Sequence, residues 1–71
     1  MEPTKEIDKD NTIRYKLNGR LHRLDGPAVI YVDGTEEWYL NGIVYFFKDY
    51  CKKLKLTDEN IVFLKLKYCT R

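Results

Sequence analysis

The sequence predicts an α+β fold, an antiparallel β-meander of about five short strands followed by a C-terminal helical hairpin. Three observations predict it. Apolar and polar residues alternate in short runs over residues 12–45, Gly-containing turn dipeptides separate these runs, and from residue 46 the apolar residues take helical spacing. We divide the 71 residues into a flexible leader at 1–11 and a single domain at 12–71, with the meander at 12–45 and the helices at 46–71.

The first 45 residues contain one hairpin unit twice. Apolar residues at positions 13, 15 and 17 alternate with Arg14 and Lys16, which predicts a half-buried strand. Asn18-Gly19 suits a turn that needs positive φ angles, and residues 20–23 form the returning strand. The segment RYKLNGRLHR, from position 14, aligns with EWYLNGIVYF, from position 37, at an offset of 23 residues. Each copy is therefore a strand–turn–strand unit.

The segment HRLDGP, between the two copies, combines polar side chains with a turn. Asp25-Gly26 turns the chain, Gly26 supplies an unusual backbone angle, and Pro27 starts a strand over residues 28–32. We expect Asp25 to accept backbone hydrogen bonds at the turn, and His22 and Arg23 to tie the turn to the neighbouring hairpin.

The next hairpin has a predicted register. A three-residue loop at 33–35 with a bulge pairs Ile30 with Trp38, and position 28 with position 40, on the core face. A two-residue loop would place Ile30 opposite Glu37 and mix the two faces. The opposite, open face of the sheet then carries Val29, Tyr31, Glu37 and Tyr39.

Two helices complete the domain. The first carries its apolar residues in one stripe, at positions 47, 50, 51 and 54. Thr57 is the predicted N-cap of the second, with Asp58 and Glu59 in its first turn. The second helix has apolar rows at 61, 64 and 68 and at 62, 66 and 69. Because Phe63 widens this apolar surface further, we expect the helix to be sandwiched between the sheet and either the first helix or a second subunit.

The residue content argues against catalysis. One His and two Cys separated by 17 residues do not build a tetrahedral metal site, and all four Gly belong to turns rather than to a phosphate loop. A triad of His22, Asp25 and a cysteine is conceivable, but Cys51 and Cys69 both fall on apolar helix rows and are expected to be buried. We therefore expect no enzyme activity, no metal and no cofactor. No apolar run approaches the ~20 residues of a membrane span, and the charged first residues are not a signal peptide, so a cytoplasmic protein is predicted.

Residues 19–42 read GRLHRLDGPAVIYVDGTEEWYLNG. This stretch, a third of the chain, resembles a β-hairpin repeat of small tailed-phage and giant-virus proteins, with the pattern N-G-x-L-H-R-x-D-G-P-A and then W-x-x-N-G, and is similar to MORN repeat variants. No catalytic residue set belongs to these repeats. The resemblance implies a phage-type accessory protein that acts by binding a host or defence component. After position 42 the sequence reads IVYFF where another copy would begin, so the array ends there.

Two binding functions remain open. The first is stoichiometric, inhibitor-type binding to a host protein through the open sheet face, with basic side chains of the first helix at its rim. A homodimer through the apolar surface of the second helix accompanies this hypothesis. The partner surface comprises Tyr31, Glu37, Tyr39, Lys48, Lys52 and Lys55, and the dimer surface comprises Phe63, Leu66 and Tyr68.

The alternative is a small RNA-binding protein in which exposed tyrosines stack on bases. The net charge is only +2, but it is unevenly distributed, because residues 46–71 carry seven Lys or Arg against three Asp or Glu. The cations of the alternative are Arg14, Lys16, Arg20 and Arg23 on the first hairpin and Lys53, Lys65, Lys67 and Arg71 in the C-terminal region.

Overall fold

The computed structural model describes residues 2–69 and has the predicted α+β fold. Its strands are β1 (Thr4–Ile7), β2 (Ile13–Leu17), β3 (Arg20–Leu21), β4 (Val29–Ile30), β5 (Glu36–Leu40) and β6 (Ile43–Tyr45), and its helices are α1 (Phe47–Lys53) and α2 (Asp58–Tyr68). All strand pairs are antiparallel, in the order β1-β2-β4-β5-β6, and β3 also pairs with β2.

The first strand lies where the sequence predicts a flexible leader, so that prediction was wrong for residues 4–7. β1 pairs with β2 along its whole length, and every β1 side chain is exposed. Since no face of β1 is buried, it has no apolar alternation by which it could be recognised. Cross-strand ion pairs join it and the following turn to β2: Glu6 lies 3.4 Å from Lys16, and Asp8 pairs with Arg14.

Residues 22–28 form a loop outside the sheet, and both ends of this loop hydrogen-bond to the same residue of β2, Tyr15. The His22 N–H donates to the Tyr15 carbonyl at 3.0 Å, and the Tyr15 N–H donates to the Ala28 carbonyl at 2.8 Å. β3 and β4 therefore occupy the same edge of β2, on either side of this excursion, which we call the 22–28 loop. The predicted strands at 20–23 and 28–32 are correspondingly shorter.

The predicted register of β4 and β5 was wrong by two residues. Ile30 lies opposite Glu36, not Trp38. The hairpin does have a three-residue loop with a bulge, but the loop is 32–34, closed by the Tyr31 N–H donating to Thr35 at 2.8 Å. The last loop residue takes positive φ in this kind of hairpin, and Gly34, with φ of 90°, fills that position. A two-residue shift keeps Tyr31, Glu37 and Tyr39 on one face. Val29, which was predicted to share the open face with them, is buried with 2% exposure, so that part of the prediction was wrong.

The helices pack on the other face of the sheet, around the only tryptophan. The Trp38 ring lies 4.8 Å from the rings of both Phe47 and Tyr50, and 5.9 Å from that of Tyr68 in an edge-on arrangement. The predicted apolar stripe of α1 is confirmed, since all four of its residues are buried or half-buried in this core. The Thr57 cap of α2 is also confirmed, because its hydroxyl accepts from the Asn60 N–H at 3.2 Å.

Only one of the two predicted apolar rows of α2 reaches the core. Leu64 is buried and its row-mates at 61 and 68 are half-buried, whereas Val62, Phe63 and Leu66 are each more than half exposed. The prediction that both cysteines are buried holds for Cys51 and was wrong for the exposed Cys69. In so small a domain, α1 and the short sheet together form only one surface against which α2 can pack, and one row of apolar side chains is enough to cover it.

Candidate binding site

The three residues predicted on the open sheet face form a hydrogen-bonded cluster. The Tyr31 hydroxyl donates to Glu37 Oε1 at 2.9 Å, and the Tyr39 hydroxyl donates to the same oxygen at 3.4 Å. The bond to the Glu37 carboxylate, with partial burial, raises the pKa of Tyr31, and burial beside the same carboxylate raises the pKa of Tyr39. Both phenols therefore stay protonated donors at neutral pH.

The lysines that the sequence places at the rim of this cluster lie elsewhere. Lys48 and Lys52 lie on α1 and Lys55 lies just after it. This helix packs on the Trp38 side of the sheet, while Glu37 faces the opposite side. The predicted partner surface is therefore two separate surfaces. Alternation along a strand explains the separation, because neighbouring residues of β5 point to opposite faces.

The three lysines border a groove between α1 and α2, together with Lys65 from α2. The groove has a volume of about 370 Å³, is open on one side, and has an apolar floor. Its volume lies in the usual range of ligand sites, ~300–1,000 Å³. The floor consists of Phe47, Cys51, Leu56 and Ile61, and the rim consists of Lys48, Lys52, Lys55 and Lys65.

The turn between the helices determines the position of Lys55. The Leu56 N–H donates to the Cys51 carbonyl and the Lys55 N–H donates to the Lys52 carbonyl, both at 3.1 Å, which is a Schellman ending of α1. That ending places Lys55 in the left-handed region, with φ of 54°, a position that glycine normally fills. Among the described residues with positive φ, the others are all Asn or Gly.

The floor of the groove contains a cysteine, but not one suited to act as a nucleophile. Burial raises the pKa of the Cys51 thiol, an effect that the nearby positive charge of Lys65 only partly offsets. Because the thiolate is the reactive form, the raised pKa makes this thiol a weaker nucleophile near neutral pH. Its place in the groove is that of a small apolar side chain.

The 22–28 loop, the other candidate for chemistry, is held by hydrogen bonds. His22 is buried and its Nδ1 accepts from the Asn41 N–H at 3.0 Å, so it ties the loop to the β5–β6 turn as predicted. The Tyr50 hydroxyl lies inside the loop, 2.7 Å from the Arg23 carbonyl oxygen and 3.3 Å from that of Gly26. Burial raises the pKa of Tyr50 to about 12, so it stays a donor.

Arg23 spans the loop with its guanidinium group. The group donates to Asp25 at 3.0 Å, to the Pro27 carbonyl at 3.1 Å and to the Tyr68 hydroxyl at 3.2 Å, and it lies 3.9 Å above the Tyr15 ring. Asp25 thus receives a side-chain bond from Arg23, where the sequence predicts backbone bonds.

Gly26 lies in a tight space between two side chains, and the predicted unusual backbone angle was wrong. It is not among the residues with positive φ, but a Cβ there would lie 2.8 Å from Cζ of Arg23 and 2.9 Å from the Tyr68 hydroxyl. The closeness of those two groups, which the sequence does not reveal, is the cause.

The cations of the nucleic-acid alternative do not form one surface. Arg14 and Lys16 are in ion pairs, Arg23 is only 12% exposed in its side chain, and Lys67 lies within 6 Å of two aromatic rings. Lys65 borders the groove between the helices, whereas Lys53 borders a different depression beside His22. Arg20 is exposed on the first hairpin, and Arg71 lies outside the described residues.

The predicted dimer surface is also divided. Phe63 and Leu66 are exposed, but Tyr68 packs on Trp38 and bonds to Arg23, so it belongs to the core of the single chain. Sequence reasoning missed Lys65 as a groove residue. The signal was present, because Lys65 follows Ile61 by four residues and therefore shares its side of α2.

Comparisons with known proteins give no assignment, since no family model matches the chain and no curated protein or solved structure is significantly similar to it. Over residues 2–69, the structure has no helix long and apolar enough to cross a membrane. The same residues contain no group of His, Cys, Asp and Glu side chains that could hold a metal ion.

Proposed function

We propose that this chain is a non-enzymatic, phage-type accessory protein that acts by binding a host or defence protein stoichiometrically, and that it holds an acidic, apolar segment of that partner in the groove between α1 and α2. The observation that carries the proposal is the combination of an apolar floor with four lysines around it. Such a site favours a ligand with apolar side chains flanked by carboxylates, because apolar contact supplies affinity and complementary charge supplies orientation and association rate.

The backbone at Lys55 supports the same site. A non-glycine residue in the left-handed region costs roughly 1 kcal/mol relative to glycine. Strain of this kind concentrates at functional positions. A glycine at 55 would make the fold more stable, but it would remove one of the four charges at the rim.

The RNA-binding alternative has weaker support. It needs several cations on one surface that are able to neutralise successive phosphates. Arg14, Lys16 and Arg23 are instead paired with carboxylates of this chain, and the Tyr31 and Tyr39 hydroxyls are bonded to Glu37. An acidic group beside the tyrosines repels the phosphates that would accompany stacked bases.

The test compares captured partners across matched charge reversals. A tagged full-length chain is used to capture protein and RNA from host lysate, beside the double variant Lys48→Glu/Lys52→Glu and the control Lys53→Glu, which changes the same helix outside the groove. The proposal expects a protein that wild type and the control retain in a one-to-one ratio and that the groove variant loses at least about tenfold. Capture of RNA alone, or equal retention by the groove variant, would contradict it.

Binding then requires a direct measurement with a defined probe. A fluorescein-labelled helical peptide with Leu on one face and Glu on the other should bind the wild-type protein and the Lys53→Glu control. Its affinity should fall as the salt concentration rises and in the Lys48→Glu/Lys52→Glu variant. A glutamine version of the peptide should bind more weakly. Equal binding of both peptides would show that the lysines do not select acidic ligands.

A further inference from the structure

The two edges of the sheet differ in a way that suggests a second interface. β1, at one edge, carries Lys5 and Glu6 and is protected by charge. β6, at the other, reads Ile-Val-Tyr and is followed by two phenylalanines. Unpaired edge strands without charges tend to pair with another strand, and proteins usually block them. Over the described residues, no strand pairs with the outer side of β6.

The side chains of this edge are unusually accessible for their type. Ile43 is 59% exposed, Val44 is 56% exposed and Phe46 is 83% exposed. Val44 and Phe46 share the open face of the sheet, while Ile43 shares the helix-covered face with Tyr45. Depressions of about 390 and 340 Å³ flank the strand on its two sides.

The hydrogen-bonding groups of Val44 point away from β5. Asn41 and Gly42, with φ of 53° and 82°, form a two-residue hairpin turn, so the backbones of Ile43 and Leu40 are hydrogen-bonded to each other. Hydrogen-bonded and non-hydrogen-bonded pairs alternate along an antiparallel ladder, so the next pair, Val44 with Tyr39, is not hydrogen-bonded. The Tyr39 carbonyl accepts from Arg23 on the opposite side, which agrees with this assignment. The N–H and C=O of Val44 are thus directed outward together.

We propose that β6 pairs with β6 of a second copy of this chain, antiparallel and centred on Val44. A residue with both groups directed outward is self-complementary about a two-fold axis, because each Val44 N–H then donates to the Val44 carbonyl of the other copy. The same axis places Ile43 opposite Tyr45 and Phe46 over Gly42, which has no side chain. The paired strands carry no charged side chains, so no charge repulsion opposes their approach.

The interface is small, and this determines how it is measured. A contact of three residues per strand buries a smaller area than the ~800 Å² per partner that is usual in a stable complex. Association should therefore be weak and should depend on protein concentration. Sedimentation equilibrium of the full chain should show a shift from 8.5 kDa towards twice that mass as the concentration rises through the micromolar range. The Val44 amide proton, followed by NMR, should exchange more slowly at high than at low concentration.

Three variants locate the contact. Val44→Lys should raise the dissociation constant at least about tenfold, because two like charges then face each other across the axis. Val32→Lys is the matched control, since Val32 is 71% exposed and lies in the β4–β5 loop; it should leave association unchanged. Leu66→Lys tests a dimer through α2. A monomer at all concentrations, an unprotected Val44 amide, or association lost with Leu66→Lys but kept with Val44→Lys would overturn the proposal.

Discussion

Replacing Tyr50 with Phe removes one oxygen atom from the centre of the molecule and tests how the 22–28 loop is held. The Tyr50 side chain is fully buried and its hydroxyl lies against the carbonyls of Arg23 and Gly26. Leaving a buried acceptor without its donor lowers the free energy of unfolding by about 1–3 kcal/mol, and we expect about 2 kcal/mol because the second of the two contacts is long. For a chain of 71 residues this is a large fraction of a total of roughly 4–10 kcal/mol.

The assay is urea unfolding followed by tryptophan fluorescence. Trp38 is the only tryptophan and its ring lies 4.8 Å from Tyr50, so the signal reports on the same region. The urea midpoint of the variant should fall while the dependence of its unfolding free energy on urea concentration stays unchanged. In a thermal scan with the same signal, its Tm should fall by roughly 10 °C. The control is Tyr45→Phe, another tyrosine at the margin of the core, which should change stability by less than about 0.5 kcal/mol. Equal effects of the two variants would refute the argument.

The same hydroxyl predicts a dependence of stability on alkaline pH. In the folded chain the pKa of Tyr50 is about 12, whereas in the unfolded chain it is near the ordinary value of 10. The stabilisation is therefore fully present below pH 10 and is lost as the pH rises from 10 to 12, because the unfolded state gives up its proton first. Tyr50→Phe should show a shallower decline than wild type by at most about 2 kcal/mol over that interval.

Three further substitutions or reactions test separate parts of the structure. Gly26→Ala should destabilise the fold by about 1–3 kcal/mol in urea unfolding, because its Cβ would displace the Arg23 guanidinium and the Tyr68 hydroxyl from their mutual bond; a change under about 0.5 kcal/mol would show that these side chains move aside without loss. Lys55→Gly should raise stability by about 0.5–1 kcal/mol while lowering affinity for the acidic peptide, and a gain in both would remove Lys55 from the site. A thiol reagent should label Cys69 at once and Cys51 only on unfolding; equal rates would show that the groove floor opens freely.

The sequence predicted the fold class, the apolar stripe of α1 and the Thr57 cap of α2, because these depend on local periodicity and local hydrogen bonding. The predicted register of β4 and β5 was wrong for a local reason. In a three-residue hairpin with a bulge, the last loop position takes positive φ, so Gly34 belongs there and Thr35 does not. Placing the loop one residue earlier corrects the pairing.

Other features depend on contacts between distant residues, which periodicity does not contain. β1 has no buried face, so only its pairing with β2 identifies it. Gly26 lies against Tyr68, more than forty positions away. The groove combines residues of both helices. Its lysines were predicted as partner-binding or RNA-binding residues, but the sequence does not show that the packing of α2 on α1 places Lys65 beside the other three.

The residues of 19–42 that hold the fold differ from those that form the two proposed binding surfaces. The distinctive residues of that stretch fold the chain: His22 bonds to the β5–β6 turn, Arg23 spans the loop, Gly26 makes room for it and Trp38 centres the core. The lysine-bordered groove is built by residues 47–65 and the uncharged edge by 43–45. Binding experiments on this chain should therefore vary the helices and β6 before they vary residues 19–42.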